Sequence, residues 1–268
     1  MYLSRLLIDA GTDPDRPRPG ALWLRNVYHV HQRLCMGFPS AQRKADDPHC
    51  LRPYRPADFP EHRYLAGGKA AEVGSDALRQ VHAPRDERCG FLFRIDPLPG
   101  RRAMILVQSA LKPDWDYAFH NAGFLLAAAP QVAVYNPQFS TGQALRFRLL
   151  ANTVFRARSG SVDAAGKPVN SKWVDKRLPV ASTVQALSHW LERRGPPAGF
   201  RVETLYLVQP GYVWAGRMNE HLCRFRSTRY EGTLKVVDPV LFLKRAVVGG
   251  IGPAKAFGFG LLSVAELS

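Results

Sequence analysis

The chain has 268 residues, enough for one large domain or two ordinary ones, and a 46% hydrophobic content excludes wholesale disorder. With 37 Lys and Arg against 22 Asp and Glu the formal charge is +15, which excludes an acidic surface and favours a polyanionic partner, nucleic acid or an anionic membrane. The longest uncharged apolar run, Ala122 to Ala129, stops at Pro130, well short of the roughly 18 residues of a spanning helix. The apolar stretch Leu6 to Ile8 stops at Asp9, too soon for a signal peptide, so a cytoplasmic protein with no membrane partner is expected. Cys35, Cys50, Cys89 and Cys223 form no CxxC pair, which argues against a disulfide framework or a zinc ribbon.

Tyr2 to Ile8 alternates polar and apolar positions and reads as a strand. After a proline-rich loop, Trp23, Val27, Val30 and Leu34 recur at helical spacing, and one helix is expected from Trp23 to Cys35. Residues 39–88 carry no sustained period and read as a surface insertion, a flexible excursion. Phe91 to Ile95 and Ala103 to Gln108 read as strands, Trp115 to Ala128 as a helix, and Val132 to Tyr135 as a short strand. The same order recurs afterwards: a strand from Leu145 to Phe155, then a helix through Val184, Leu187 and Leu191 that stops at Gly195. Strands follow at Val202 to Val208 and Tyr230 to Val237. A helix capped by Asp238 runs to about Val248, and a last strand spans Gly260 to Ala265. Two tandem β-α-β-β-α-β units are therefore expected, an α+β fold divided as 1–140 and 141–268, with a cleft between the two sheets as a groove for an extended ligand.

Three features carry chemistry. On the first helix Tyr28 and His31 are three residues apart and share one side, about 120° and about 60° from the centre of the apolar stripe, whereas His29 is expected to face solvent. That pattern presents a phenol and an imidazole together at the rim of a cleft; amphipathic boundary residues produce the same spacing. The second feature is Gly249-Gly-Ile-Gly-Pro-Ala-Lys-Ala-Phe-Gly-Phe-Gly260, which lacks the Lys-Ser/Thr of a Walker loop and the third glycine of a dinucleotide fingerprint. Its glycines Gly252, Gly258 and Gly260 let backbone N–H groups approach a phosphate, with Lys255 adding charge; a tight helix-to-strand turn is the alternative. The third is a basic arm, read as a long loop or hairpin, that carries Arg156, Arg158, Lys172, Lys176 and Arg177 and suits a phosphate backbone. His49, Cys50, His62, His82 and Cys89 fit no zinc spacing, so neither metal nor cofactor is expected.

Four stretches resemble one family. Met1-Tyr-Leu-Ser-Arg-Leu-Leu-Ile8, Val27-Tyr-His-Val-His-Gln32, Phe147-Arg-Leu-Leu-Ala-Asn152 and above all Gly250-Ile-Gly-Pro-Ala-Lys-Ala-Phe-Gly-Phe-Gly-Leu-Leu-Ser263 are similar to the CRISPR repeat-processing endoribonuclease of type I-E systems, the CasE subunit of Cascade. The resemblance does not extend over residues 40–88, where this chain is longer than the family pattern. It implies two tandem ferredoxin-like domains and metal-independent cleavage of CRISPR precursor RNA at the base of the repeat hairpin. It further implies that the mature guide RNA stays bound and that the other Cascade subunits are partners. It places the catalytic pair at Tyr28 and His31. The rival classes are a non-catalytic subunit that binds an RNA hairpin and a basic DNA-binding module. No helix-turn-helix or zinc-finger pattern supports the latter.

Overall fold

The structure is a computed structural model that describes residues 1–11, 19–59, 90–158, 160, 162, 167–170, 176–216 and 223–267. It divides into two compact units. Unit 1 comprises residues 1–137, 214–223 and 254–258; unit 2 comprises 138–213, 224–253 and 259–268.

Unit 1 contains β1 (Tyr2–Asp9), α1 (Pro19–Arg25), α2 (Val27–Cys35), α3 (Ala41–Asp46), β2 (Phe91–Leu98), β3 (Arg102–Ser109), α4 (Trp115–Phe119) and β4 (Gln131–Val134). Its sheet has the order β2-β3-β1-β4 and is antiparallel, with Leu6 opposite Ile105 and Tyr2 opposite Val134. The two-residue period of β1 turns Ser4, Leu6 and Ile8 inward, and Val30 and Leu34 of α2 are buried with them. Instead of the single helix expected from Trp23, the chain breaks at Asn26, whose side chain caps α2 by accepting from the Tyr28 backbone N–H at 3.1 Å. The helix expected to reach Ala128 ends at Phe119 and continues as a 3-10 turn from His120 to Leu125.

Unit 2 contains β5 (Ala144–Ala151), β6 (Val154–Arg156), β7 (Arg177–Pro179), α5 (Val184–Glu192), β8 (Phe200–Ala215), β9 (Cys223–Val236), α6 (Pro239–Leu241) and β10 (Leu262–Glu266). The end residues of β8 and the first residue of β9 fall in unit 1. After α6 the chain widens into a π-helix from Phe242 to Val248. The sheet order is β10-β5-β9-β8, the same first-strand-beside-third arrangement as in unit 1. Both units therefore have the ferredoxin-like topology, β-α-β-β-α-β with one antiparallel sheet each. Leu145, Phe147 and Leu149 of β5 and Tyr230 and Leu234 of β9 are buried in its core. The Tyr230 hydroxyl donates to the Leu187 carbonyl of α5 at 2.8 Å, and burial pushes that phenol well above its ordinary value.

Residues 60–88 of the expected insertion lie outside the described residues. The part that is described, 39–59, is not a flexible excursion. It is folded around Arg43, only 4% exposed, which donates to Asp47 at 2.7 Å, Asp58 at 2.9 Å, the Tyr117 hydroxyl at 3.1 Å and two backbone carbonyls. Cys50, Phe59 and Tyr117 close a small apolar cluster beside this guanidinium. A hub made of one buried charge has no hydrophobic period to read.

Candidate functional site

Helix α2 is fixed at both ends. Asn26 caps the first turn, accepts from the Gly216 N–H at 3.1 Å and donates to the Gly216 carbonyl at 2.7 Å, as one strand residue does to another. Near the C-terminus Arg33 donates to the Ala118 carbonyl at 2.9 Å and to Asn121 at 2.8 Å, which ties α2 to α4. The contact with Gly216 spans 190 positions in the chain, so no local pattern announces it. The signal available for Asn26 was its place just before Val27, hidden because the helical period runs on through it.

On this helix Tyr28 is half-buried, and its ring lies 6.4 Å from that of His29. His31 is 2% exposed. Its imidazole packs against Phe91 at 5.4 Å and Phe93 at 6.3 Å, and its Nε2 is 3.6 Å from the Cys35 sulfur. The expected boundary position is thus drawn inward, because the period of β2 sends Phe91 and Phe93 to the face that meets α2. His29 does not face solvent either: it is half-buried, with Nε2 3.3 Å from the Asn26 side-chain amide.

The terminal glycine motif contributes to both units. Residues 254–258 belong to unit 1, where the 3-10 turn Lys255–Phe257 packs against α2 and β2. Lys255 is half-buried in this turn. Gly258 is buried with φ +79°, and a Cβ there would stand 3.2 Å from the Phe93 ring, so glycine is required for the turn itself. In unit 2, Gly252 has φ +83°, and a Cβ there would stand 3.0 Å from the Trp190 ring. Gly260 is buried, with its N–H donating to the Leu150 carbonyl at 2.8 Å and its own carbonyl accepting from Ile251. The N–H of Gly258 is bonded to Lys255. These two N–H groups are therefore spent inside the fold and do not form the phosphate cradle expected from them; of the four residues singled out in the motif, Gly252 and Lys255 are half-exposed.

The basic arm is a hairpin in unit 2. β6 pairs with β7 antiparallel, and Arg156 stands directly opposite Arg177. The ladder is extended by Ala157, which donates to the Lys176 carbonyl at 2.9 Å. Arg156, Arg158, Lys176 and Arg177 are all exposed, while Lys172 lies outside the described residues. Among the described residues no group of three or more His, Cys, Asp or Glu is placed to hold a metal ion, and no helix is long and apolar enough to cross a membrane. His62, His82 and Cys89 lie outside the described residues.

A family model described as CRISPR associated protein matches residues 73–266. The CRISPR-associated endoribonuclease Cse3 of Thermus thermophilus is 32% identical over 186 residues, 65% of this chain and 79% of that protein. The solved structure of Thermus thermophilus Cse3 bound to an RNA representing a pre-cleavage complex matches with a TM-score of 0.60 and 25% identity, over 99% of this chain and 98% of that one. Cas6e from Escherichia coli str. K-12 shares the fold, with a TM-score of 0.55 and 21% identity over the whole of both chains. The family model covers most of the chain, with part of unit 1 and nearly all of unit 2, and this chain belongs to the CRISPR associated protein family.

Proposed function

We propose that the chain is a metal-independent endoribonuclease that cleaves CRISPR precursor RNA at the base of the repeat hairpin and stays bound to the mature guide RNA as a Cascade subunit. The observation that carries this reading is the packing of the Lys255 turn against the helix of Tyr28 and His31, which gathers an imidazole, a phenol and a cation in one unit. RNA supplies its own nucleophile. A base takes the 2′-OH proton, the 2′ oxygen bonds to the adjacent phosphorus, the bond to the 5′ oxygen breaks, and an acid protonates that oxygen. The products are a 2′,3′-cyclic phosphate and a 5′-OH. An imidazole, with an ordinary pKa of about 6.5, suits either proton transfer near neutral pH, whereas a phenol near 10 orients or donates more readily than it abstracts. His31 is the principal acid/base, Tyr28 its partner, and Lys255 the cation for the extra negative charge on phosphorus. Because His31 is 2% exposed, its ring must turn out of the slot formed by Phe91 and Phe93 to reach the RNA. Arg156, Arg158, Lys172, Lys176 and Arg177 hold the hairpin phosphates, and Gly252 offers backbone to them. Gly258 and Gly260 shape the loop that carries Lys255.

The burial of His31 favours a second reading, a hairpin-binding subunit that does not cleave. One assay decides between the two. Repeat RNA incubated in EDTA is cut at a single position, and a 2′-deoxy substitution at the scissile nucleotide stops the reaction without weakening binding. Binding without cleavage in either RNA would establish the second reading.

A further inference from the structure

Unit 2 contains a pocket of about 580 Å³ whose walls include Phe155, Arg156, Arg158, Trp190, Arg193 and Arg194. Its cations come from β6 and the segment after it and from the end of α5, which also adds His189. Trp190 is fixed in place: it is 4% exposed, its Nε1 donates to the Val154 carbonyl at 2.9 Å, and its ring is parallel to Tyr230 within 4° at 6.2 Å. The Arg194 guanidinium lies flat over the Trp190 ring, 3.7 Å from its centroid. It donates to the Trp190 and Val154 carbonyls at 3.2 and 3.3 Å. These partners are neutral, and burial followed by the repulsion of Arg193 lowers the Arg194 pKa to about 10, against a raising effect of Tyr230. None of the described lining residues is acidic; Glu192, one turn away, sits 3.9 Å from His189 Nδ1.

A wall that gathers several guanidinium groups attracts an anion, and Arg favours phosphate because its planar fork matches the oxygens. The pocket falls within the roughly 300–1,000 Å³ range of small-ligand sites, too small for a paired duplex. A guanidinium held over an indole offers a planar platform on which a base stacks. We propose that this pocket holds one unpaired nucleotide of the bound RNA, its base on the Arg194–Trp190 platform and its phosphate among Arg156, Arg158 and Arg193. The proposal rests on the RNA reading given above and adds the class of nucleotide and the residues His189, Arg193 and Arg194.

The test uses the full chain and two RNAs that cannot be cut: the repeat hairpin with a 2′-deoxy scissile nucleotide, and a blunt, fully paired duplex of its stem. Arg193→Gln alters an exposed side chain and Arg194→Gln the platform, with Arg194→Lys as a variant that keeps the charge. Arg194→Gln weakens hairpin binding about tenfold, the value of one stacked base, and leaves duplex binding unchanged. Arg193→Gln lowers the slope of log K against log salt for the hairpin by about 0.7, as expected for one phosphate contact on a single strand. Arg194→Lys keeps the slope but loses affinity. Equal losses on both RNAs, or no loss on either, would overturn the proposal. So would unaltered RNA binding combined with loss of another Cascade subunit, which would make the pocket a site for an acidic protein segment. A third arm measures the melting temperature with millimolar AMP or inorganic phosphate. AMP raises it in the wild type more than phosphate does, and Arg194→Gln removes the difference. Should the wild type bind no repeat RNA, the functional reading fails while the AMP arm still decides the pocket: a shift supports a nucleotide site and its absence overturns one.

Discussion

His31 has two roles to separate, because a residue that packs between aromatic rings is also the proposed proton carrier. His31→Ala removes the imidazole and leaves a cavity, which costs about 2 kcal/mol of stability. If its role is chemical, cleavage is abolished at temperatures where the variant is folded, and hairpin affinity stays within about 1 kcal/mol of the wild type. Added imidazole then restores part of the rate. His29→Ala retains cleavage and loses the contact with Asn26, worth about 1 kcal/mol or less in stability, together with the ring contact to Tyr28. Full activity in His31→Ala, or equal losses in both variants, would remove the assignment. Asn26 differs from these histidines: it touches no reacting atom in the proposed scheme, yet it sets the start of α2 and binds both backbone groups of Gly216.

At the scale of elements, the segment from Ser40 to Phe59 is held by charge rather than by an apolar face, and its stability must therefore depend on pH. Burial alone raises the Asp47 carboxyl, but the N–H groups of Leu51 and Arg52 and the charges of Arg43 and Arg52 outweigh it and hold the group below the ordinary carboxylate range. Asp114 is held low against burial in the same way, by Lys44 at 2.6 Å and the Tyr117 N–H. A carboxylate depressed in the folded state contributes stability that is complete above its unfolded value, 3.8 for both groups, and is lost as pH falls through the depressed folded value. The melting temperature is accordingly flat in this respect from pH 7 to about 5 and falls below about pH 4. Arg43→Met lowers the melting temperature at pH 7, since it leaves the Asp47 carboxylate and the half-buried Asp58 without their guanidinium partner, and flattens the acid limb. An acid limb as steep as that of the wild type would assign the loss to other groups. None of this was legible in the sequence, which marks apolar periods and turns but not a polar hub. Strand β5 was legible because Leu145, Phe147 and Leu149 alternate with Arg146 and Arg148, and β1 because Ser4 and Arg5 interrupt an otherwise apolar run that stops at Asp9. Strand β8 was expected to span Val202 to Val208; it continues through Pro210 to Ala215 because it lies at the sheet edge, where a missing N–H costs no ladder bond. The pair Tyr28 and His31 was legible by spacing, while the depth of His31 was set by β2, more than 55 positions away, beyond any local pattern.

For the whole molecule the formal charge of +15 makes association with RNA strong at low salt whatever the sequence bound, so affinity alone says little about recognition. What distinguishes a built interface from a general positive field is how many phosphates particular residues neutralise. The β6-β7 hairpin sets Arg156 against Arg177 and exposes Arg158 and Lys176 beside them, which concentrates positive charge on one short ladder. Each phosphate contact on duplex-like RNA releases counterions and contributes about 0.9 to the slope of log K against log salt. Replacing Lys172, Lys176 and Arg177 together by alanine should therefore weaken hairpin binding and reduce the slope by up to about 2.7. The control replaces three exposed cations elsewhere, Arg5, Arg101 and Arg102, which reduces the net charge equally. If the two triple variants change the slope by the same amount, the hairpin contributes only its share of the general field, and the arm faces solvent or another protein rather than the RNA.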